Sequence, residues 1–404
     1  MSSNASSQFS SRGRRSHGVD IASRPLVVMR ATPILFAAAG VAQYIRCLAR
    51  ALIAEGVNLT LFTPFRWGVD TEQEAAASVG ADSLRRTILR AVPRPRQAAR
   101  ILESALLAVN SRAHRVSLYH EPAALPLPFR GPTVITVHDL SWIRFPETHP
   151  ADRVATLARA FPRALHRASH VIVDSEFTRQ EIIEVFGTPP EKISTAPLAA
   201  REGFRPREQE ECMPILAELG LDFRRFVLGV GTLEPRKNLE AIVHAYSSMP
   251  ESYRRTYPLV LVGAKGWLTS GLEATLRPLV DQGHVRPLGH VSDRALAALY
   301  SSAHVLVYPS LYEGFGLPPL EAMTSGTPVI ASSRASLPEV VGDAGVLIDP
   351  ASVDDLRRAL ERLHGDGRHW QALAAAGLQR SKHFSWARCA RQTQDVYRNV
   401  LAAT

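Results

Sequence analysis

Ser310-Leu-Tyr-Glu-Gly-Phe-Gly-Leu-Pro-Pro-Leu-Glu-Ala-Met-Thr-Ser-Gly326 follows an apolar run, Val305–Tyr308, that reads as a strand and stops at Pro309. Gly314 and Gly316 make the next residues a loop. Pro318 and Pro319 then open a short helix and Gly326 closes it, the order of proline at the start and glycine past the end that helices favour. A loop feeding a helix N-terminus offers unpaired N–H groups and a positive dipole end, which suits a phosphate. Glu313 in the loop and Glu321 in the first helical turn flank that point. Each acid alone has an ordinary reading, Glu313 as an exposed loop acid and Glu321 as a favourable partner of the helix dipole. Together with the glycines and the double proline they suit hydroxyl-rich groups on either side of a diphosphate. That is the outline of a nucleotide-sugar.

The same rhythm extends outward in both directions. Upstream in the second half, strand 226–230 leads to helix 238–248, strand 259–262, helix 271–280, strand 285–288 and a helix capped by Ser292 that runs to Ser302. Downstream, residues 329–331 and 345–348 read as closing strands. The first half has strand 25–29, helix 41–54 ended by Gly56, and strands 57–62, 133–137 and 170–173. Helix 176–186 follows, with Ser175 as its N-cap. Strands alternating with helices predict an α/β fold of two Rossmann-like, doubly wound domains facing across a cleft, where strand ends bind ligands. The expected divisions are a disordered tail at 1–22, an acceptor-side domain at 23–205, a nucleotide-sugar-binding domain at 206–384 and a C-terminal helix at 385–404 packing back on the first domain. The polar stretch 201–221 reads as the linker.

Composition permits this. The 404 residues are 46% hydrophobic, ample for two cores. No apolar run reaches membrane-spanning length, and the N-terminus lacks the apolar centre of a signal peptide. The three cysteines, Cys47, Cys212 and Cys389, lie far apart, which fits a reducing cytosol and no metal cluster. The net charge of +9 has a location: Arg85, Arg86, Arg90, Arg94, Arg96, Arg100, Arg112 and Arg115 stand against a single acid, Glu103. Ile88, Leu89, Val92, Ile101, Leu102, Leu106 and Leu107 interleave. The stretch Arg85–Arg115 reads either as a basic amphipathic helix for an anionic membrane surface or as a solvated arginine-rich face. No nucleic-acid module or aromatic platform accompanies the charge, so nucleic acid is not an expected partner.

Further candidates lie at other strand ends. In Gly231-Thr-Leu-Glu-Pro-Arg-Lys-Asn238, Arg236 and Lys237 are placed to clamp a diphosphate. Gly229-Val-Gly231 is no dinucleotide fingerprint, because Glu234 stands where the third glycine belongs. That excludes a dehydrogenase. His138 ends the buried strand 133–137, where its side chain would reach a sugar hydroxyl or developing charge. Asp139 would orient it or cap the next segment. Gly40 either admits a ligand close to the backbone or serves a plain turn. With no Asp-x-Asp pair in the chain, the dicarboxylate metal site of many sugar transferases is not expected.

These residues carry a resemblance. Val230-Gly-Thr-Leu-Glu-Pro-Arg-Lys-Asn-Leu239, Leu259-Val-Leu-Val-Gly263, Leu288-Gly-His-Val291, Tyr308-Pro-Ser-Leu-Tyr-Glu-Gly-Phe-Gly-Leu-Pro318 and Ser336-Leu-Pro-Glu-Val-Val-Gly-Asp-Ala344 resemble the retaining glycosyltransferases of family 4. The similar branch holds bacterial mannosyl- and rhamnosyltransferases of surface polysaccharide, including lipopolysaccharide. The likeness is dense over 226–385 and thinner earlier, through Val137-His-Asp-Leu140, Arg144-Phe-Pro-Glu147 and Asp174-Ser-Glu-Phe-Thr-Arg179.

The resemblance implies a GT-B fold and metal-independent transfer with retention of configuration. It implies Glu313 on donor-sugar hydroxyls, Glu321 on the ribose, and the amides of Phe315, Gly316 and Leu317 against sugar and diphosphate. Lys237 and Arg236 fall to the diphosphate and His138 to the sugar. Three positions depart from the family pattern: Thr232 where many relatives have Arg, Ala39-Gly40 with Gln43 in the first-domain loop, and Leu198-Ala199-Ala200 after Pro197.

The expectation is therefore a hexosyltransferase, with His138, Glu313 and Lys237 as its catalytic set and no cofactor. Its expected donor is a nucleotide-sugar, GDP-mannose or a GDP-deoxysugar first, and its acceptor a glycan or lipid-linked glycan. It would work in the cytoplasm and peripherally on the inner face of the membrane. A nucleotide-sugar epimerase of similar fold is the alternative enzyme, and a catalytically silent sugar-nucleotide-binding partner the alternative outside catalysis. The family motif set disfavours the first, and intact His138, Lys237, Glu313 and Glu321 the second.

Overall fold

The computed structural model describes residues 24–35, 40–64, 66–68, 95–232, 234–263 and 270–404. The expected N-terminal tail, Ala39, and Arg85, Arg86, Arg90 and Arg94 with their interleaved apolar residues lie outside them.

Short aliphatic runs buried on both faces build two parallel sheets, as central strands covered by helices must. The first sheet holds β1 (Val27–Arg30), β2 (Leu59–Thr63), β3 (Arg66–Trp67), β4 (Leu118–Glu121), β5 (Thr133–Val137), β6 (His170–Val173) and β7 (Ile193–Thr195), in the order β3-β2-β1-β4-β5-β6-β7. Among the described residues only β2 and β3 pair antiparallel. The second sheet holds β8 (Val227–Val230), β9 (Leu259–Val262), β10 (Val285–Gly289), β11 (Val305–Tyr308), β12 (Val329–Ser332) and β13 (Val346–Ile348), ordered β10-β9-β8-β11-β12-β13. In each sheet the order reverses beside the first strand, at β1/β4 and at β8/β11. Open sheets bind ligands beyond the strand ends at such reversals.

Helix boundaries follow the expected chemistry. Ser175 Oγ accepts from Thr178 N at the start of Glu176–Phe186, and Gly187 ends that helix in the left-handed region. Ser292 caps Asp293–Ser302 in the same way. The stretch 201–221 is more than a connector: Gln209–Glu218 is a helix whose Cys212 and Leu216 are fully buried. Its acids face outward, which is why the segment reads as polar in sequence.

The helix Trp386–Ala402 crosses back to the first domain. Trp386 Nε1 donates to Ala200 O at 3.0 Å, Arg391 pairs with Glu55 at 2.9 Å, and Tyr397 Oη lies 2.6 Å from His120 Nδ1. One apolar core consequently runs from β1 through this helix to β8 and β11.

Helix Pro95–Ala113 carries part of the arginine-rich stretch. Its single acid, Glu103, is buried and pairs with Arg30 at 2.7 Å, while Ile101, Leu102 and Val109 are exposed at 71%, 49% and 66%. Arg100 is committed to the carbonyls of Leu125 and Pro126. Arg112 and Arg115 are exposed.

Candidate active site

The crevice between β8 and β11 gathers the second-domain candidates. The turn Pro235–Lys237 after β8 and the loop after β11 are knitted together: Leu311 N donates to Arg236 O at 2.9 Å and Asn238 Nδ2 to Pro309 O at 3.1 Å. The knitting sets two cations on one carboxylate. Lys237 Nζ donates to Glu313 Oε1 at 2.6 Å and to Tyr308 Oη at 2.8 Å. Arg236 Nη1 donates to Glu313 Oε2 at 3.2 Å and to Tyr312 O at 2.7 Å, and its Nη2 reaches Glu234 at 2.6 Å.

Ser310 Oγ and Tyr308 Oη add donors to Glu313 Oε1 at 2.6 and 2.9 Å. Burial opposes ionisation of this acid. The two cations and the hydroxyls outweigh burial and hold the carboxyl down at about 2. Burial also works against the Arg236 charge, but Glu313 and Glu234 prevail and its pKa rises. Arg236 Nε is buried with no acceptor among the described residues.

Glu313 leads into Gly314, Phe315 and Gly316. Gly316 stands at φ +119° as the N-cap of helix Leu317–Thr324, and Phe315 is buried. The amides of Phe315, Gly316 and Leu317 therefore lie where a helix leaves its first N–H groups without internal partners.

One turn on, Glu321 is buried and accepts from Arg201 Nε at 2.8 Å. Burial raises its pKa against the pull of Arg201. Arg201 also donates to Asp293 at 2.7 Å. Sequence reasoning missed Arg201, because 120 residues separate it from Glu321.

The first domain closes over this loop. Ser175 Oγ, besides capping its helix, donates to Gly314 O at 2.6 Å. Tyr312 Oη accepts from Leu140 N at 3.0 Å and donates to Glu181. Glu339 accepts from the amides of Glu176 and Phe177 at 2.8 and 2.6 Å. A Cβ on Gly314 would overlap His138 O, so only glycine lets the two main chains meet there.

His138 stands at the end of β5 as expected, but its side chain is committed. Nδ1 lies 2.7 Å from Asp174 Oδ2 and Nε2 lies 3.1 Å from Pro122 O. Asp139 does not orient it; Asp139 Oδ1 accepts from Ser141 N and Oγ at 2.9 and 2.7 Å and so caps the next segment. Gly40 begins helix Gly40–Ala54, where an added Cβ would meet nothing within 4 Å among the described residues, and Tyr44 of that helix meets the His138 ring edge-on at 4.8 Å.

Two doubly wound domains closing over one loop define the GT-B architecture. Solved structures of that kind match the chain. Sucrose-phosphate synthase from Thermosynechococcus elongatus aligns with a TM-score of 0.71 at 21% identity, over 94% of this chain and all of that one. The Anabaena protein Alr3699/HepE in complex with UDP-glucose gives 0.69 at 18% identity, over 93% and 100%.

The model described as "Glycosyltransferase Family 4" matches residues 38–199, and "Glycosyl transferases group 1" matches 217–380. The O-antigen chain mannosyltransferase B of Escherichia coli is 36% identical over 382 residues, 92% of this chain and 99% of that protein. The chain belongs to glycosyltransferase family 4.

Proposed function

We propose that the protein transfers a mannosyl residue from GDP-mannose, or a related sugar from a GDP-deoxysugar, to a glycan or lipid-linked glycan of a surface polysaccharide. Transfer retains configuration and needs no metal. The near-full-length similarity to an O-antigen chain mannosyltransferase carries this reading. The site supports it chemically. Lys237 and Arg236, the latter with a spare Nε–H, suit a diphosphate; Glu313 suits sugar hydroxyls; Glu321, beside Arg201, suits a ribose diol.

The acceptor side of the reading is membrane-proximal. Among the described residues no helix is long and apolar enough to cross a membrane. The outward face of Pro95–Ala113 instead presents Ile101, Leu102 and Val109 beside exposed arginines, a composition suited to the surface of an anionic leaflet at the cytoplasmic side.

Incubation with GDP-mannose and UDP-glucose in parallel, with and without EDTA, tests the donor and metal together. Transfer from GDP-mannose, unaffected by EDTA and giving the donor's anomer by NMR, is expected. Turnover of UDP-glucose alone, loss in EDTA restored by magnesium, or the opposite anomer would each overturn the corresponding part.

A further inference from the structure

His138 and Asp174 come together because β5 and β6 pair with Val137 opposite Val173, which leaves the next residue of each strand side by side. β4 lies on the other flank of β5 and delivers the Pro122 carbonyl to the far side of the ring. Each of the two ring nitrogens thus faces an oxygen. A carbonyl only accepts, and so does an ionised carboxylate. A neutral imidazole has one N–H and one lone pair, and would set that lone pair against one of these oxygens. With Asp174 ionised, the geometry asks for two N–H groups.

The carboxylate side says the same. Asp174 is 2% exposed, and its Oδ1 has no partner among the described residues. His138 is the one donor to this buried charge among them. Burial pushes the Asp174 pKa up and His138 pulls against that rise; an ionised carboxylate so placed is tolerable only if that donor carries the balancing charge.

Most other titratable groups around the pair are neutral. Tyr44 on helix Gly40–Ala54 and Tyr397 and Cys389 on helix Trp386–Ala402 are buried and pushed up, hence neutral. His120 on β4 is fully buried and held down at about 3, hence neutral too. Asp139, next in the chain, acts in the same direction as Asp174 on the ring. Burial disfavours the His138 cation, but Asp174, the Pro122 carbonyl and Asp139 together outweigh it and the pKa rises.

We propose that His138 and Asp174 act as one unit, a cationic imidazole held by a buried carboxylate, whose task is to position the end of β5 against the donor loop. This rests on the reading of that loop as the donor site. His138 O meets Gly314 next to Glu313, and Ser175, the neighbour of Asp174, donates to Gly314 O. A shift of either strand end therefore moves the loop that carries Glu313. The imidazole offers no lone pair, so it does not take the acceptor proton. Asp174 is a positioning residue acting through His138, and nothing in the sequence motif marks it as more than a helix-flanking acid.

The test compares pH profiles of kcat in the wild type, Asp174→Asn and Asp174→Glu, with nucleoside diphosphate affinity measured alongside. The wild type should lose no activity between about pH 8 and 6, where an ordinary histidine base would become protonated and stop working. Asp174→Asn should lower kcat at pH 7.5 by roughly tenfold to a hundredfold, as displaced catalytic geometry does. It should regain activity on acidification, as the released imidazole protonates near its ordinary value of about 6.5. Asp174→Glu should restore part of kcat at neutral pH, and GDP affinity should stay within about twofold, since no contact with the diphosphate is altered.

Ring nitrogen resonances of the uniformly labelled wild type, with His138 assigned by its loss in His138→Gln, give a direct reading that does not depend on the variants folding. Two N–H signals for His138 at pH 7.5 are expected. A lone-pair nitrogen on His138, a wild-type acid limb near pH 6.5, or an Asp174→Asn enzyme with unchanged kcat and profile would overturn the proposal. Failure of GDP to bind the wild type would instead overturn the donor-site reading, and the resonances would still decide the state of the ring.

Discussion

Lys237 Nζ and Glu313 Oε1 lie 2.6 Å apart, so the acid assigned to the donor sugar and the cation assigned to its diphosphate are already paired. With Arg236 on the other carboxylate oxygen, the arrangement is a charge cluster that a donor bound here would have to rearrange. Glu313→Gln keeps the shape and removes the negative charge. Transfer should fall by roughly a hundredfold or more, the loss typical of removing a group that acts on the reacting sugar. GDP should bind at least as tightly as to the wild type, because its phosphates no longer compete with the carboxylate. Weakened GDP binding in calorimetry with normal turnover would refute the assignment.

Lys237→Ala should cost about 1.5–3 kcal/mol of affinity for GDP, the range of a charge-assisted contact. Guanosine should be nearly unaffected. Equal losses for both ligands would mean that the lysine supports the fold and not the phosphate.

Glu313 also predicts a pH dependence of stability. Its pKa in the folded protein is about 2 against an ordinary 4.5, so its contribution is complete above about 4.5 and is lost as pH falls toward 2. Urea titrations should show the wild type ahead of Glu313→Gln at neutral pH, with the gap narrowing steadily below pH 4.5. A gap independent of pH would remove the ionised pair as its cause.

Gly314→Ala should separate closure from folding. The added methyl collides with His138 O, a main-chain atom that cannot turn aside. Circular dichroism should stay native while kcat collapses, and scattering should show a more open particle. A fully active Gly314→Ala enzyme would mean the two main chains need not meet during turnover.

Membrane binding should depend on the outward face of Pro95–Ala113. Replacing Ile101, Leu102 and Val109 with Gln should release the protein from anionic vesicles while leaving GDP binding intact, and salt should weaken the wild-type binding. Each basic residue near an anionic surface contributes about 1 kcal/mol. Equal binding to neutral vesicles would contradict the electrostatic part, and unchanged binding of the triple variant would leave this face an ordinary solvated one.

The charged loop and its cations were legible as one cluster because their residues are nearly contiguous. Seventeen consecutive residues carry Glu313, Glu321, both glycines and the prolines, and one strand turn away Arg236 and Lys237 share a second motif. What escaped depends on pairings that sequence spacing does not encode. Asp174 reaches His138 through the register of β5 and β6, and Arg201 reaches Glu321 across 120 residues. The strand β4 escaped for a different reason. Half of Leu118-Tyr-His-Glu121 is polar yet wholly buried, because Thr136 and Tyr397 satisfy His120 while Arg30 and Tyr119 satisfy Glu121. Hydropathy misses a strand whose polar groups are paid for by distant partners.

The bond between His120 and Tyr397 spans 277 residues. A ribosome adds residues one after another, so the first sheet exists as a nascent chain long before its covering helix emerges. Until Trp386–Ala402 arrives, one flank of that sheet is bare and a buried imidazole has no partner for Nδ1. The early domain must wait for late sequence, and truncation near residue 386 should unfold the beginning of the protein before its end.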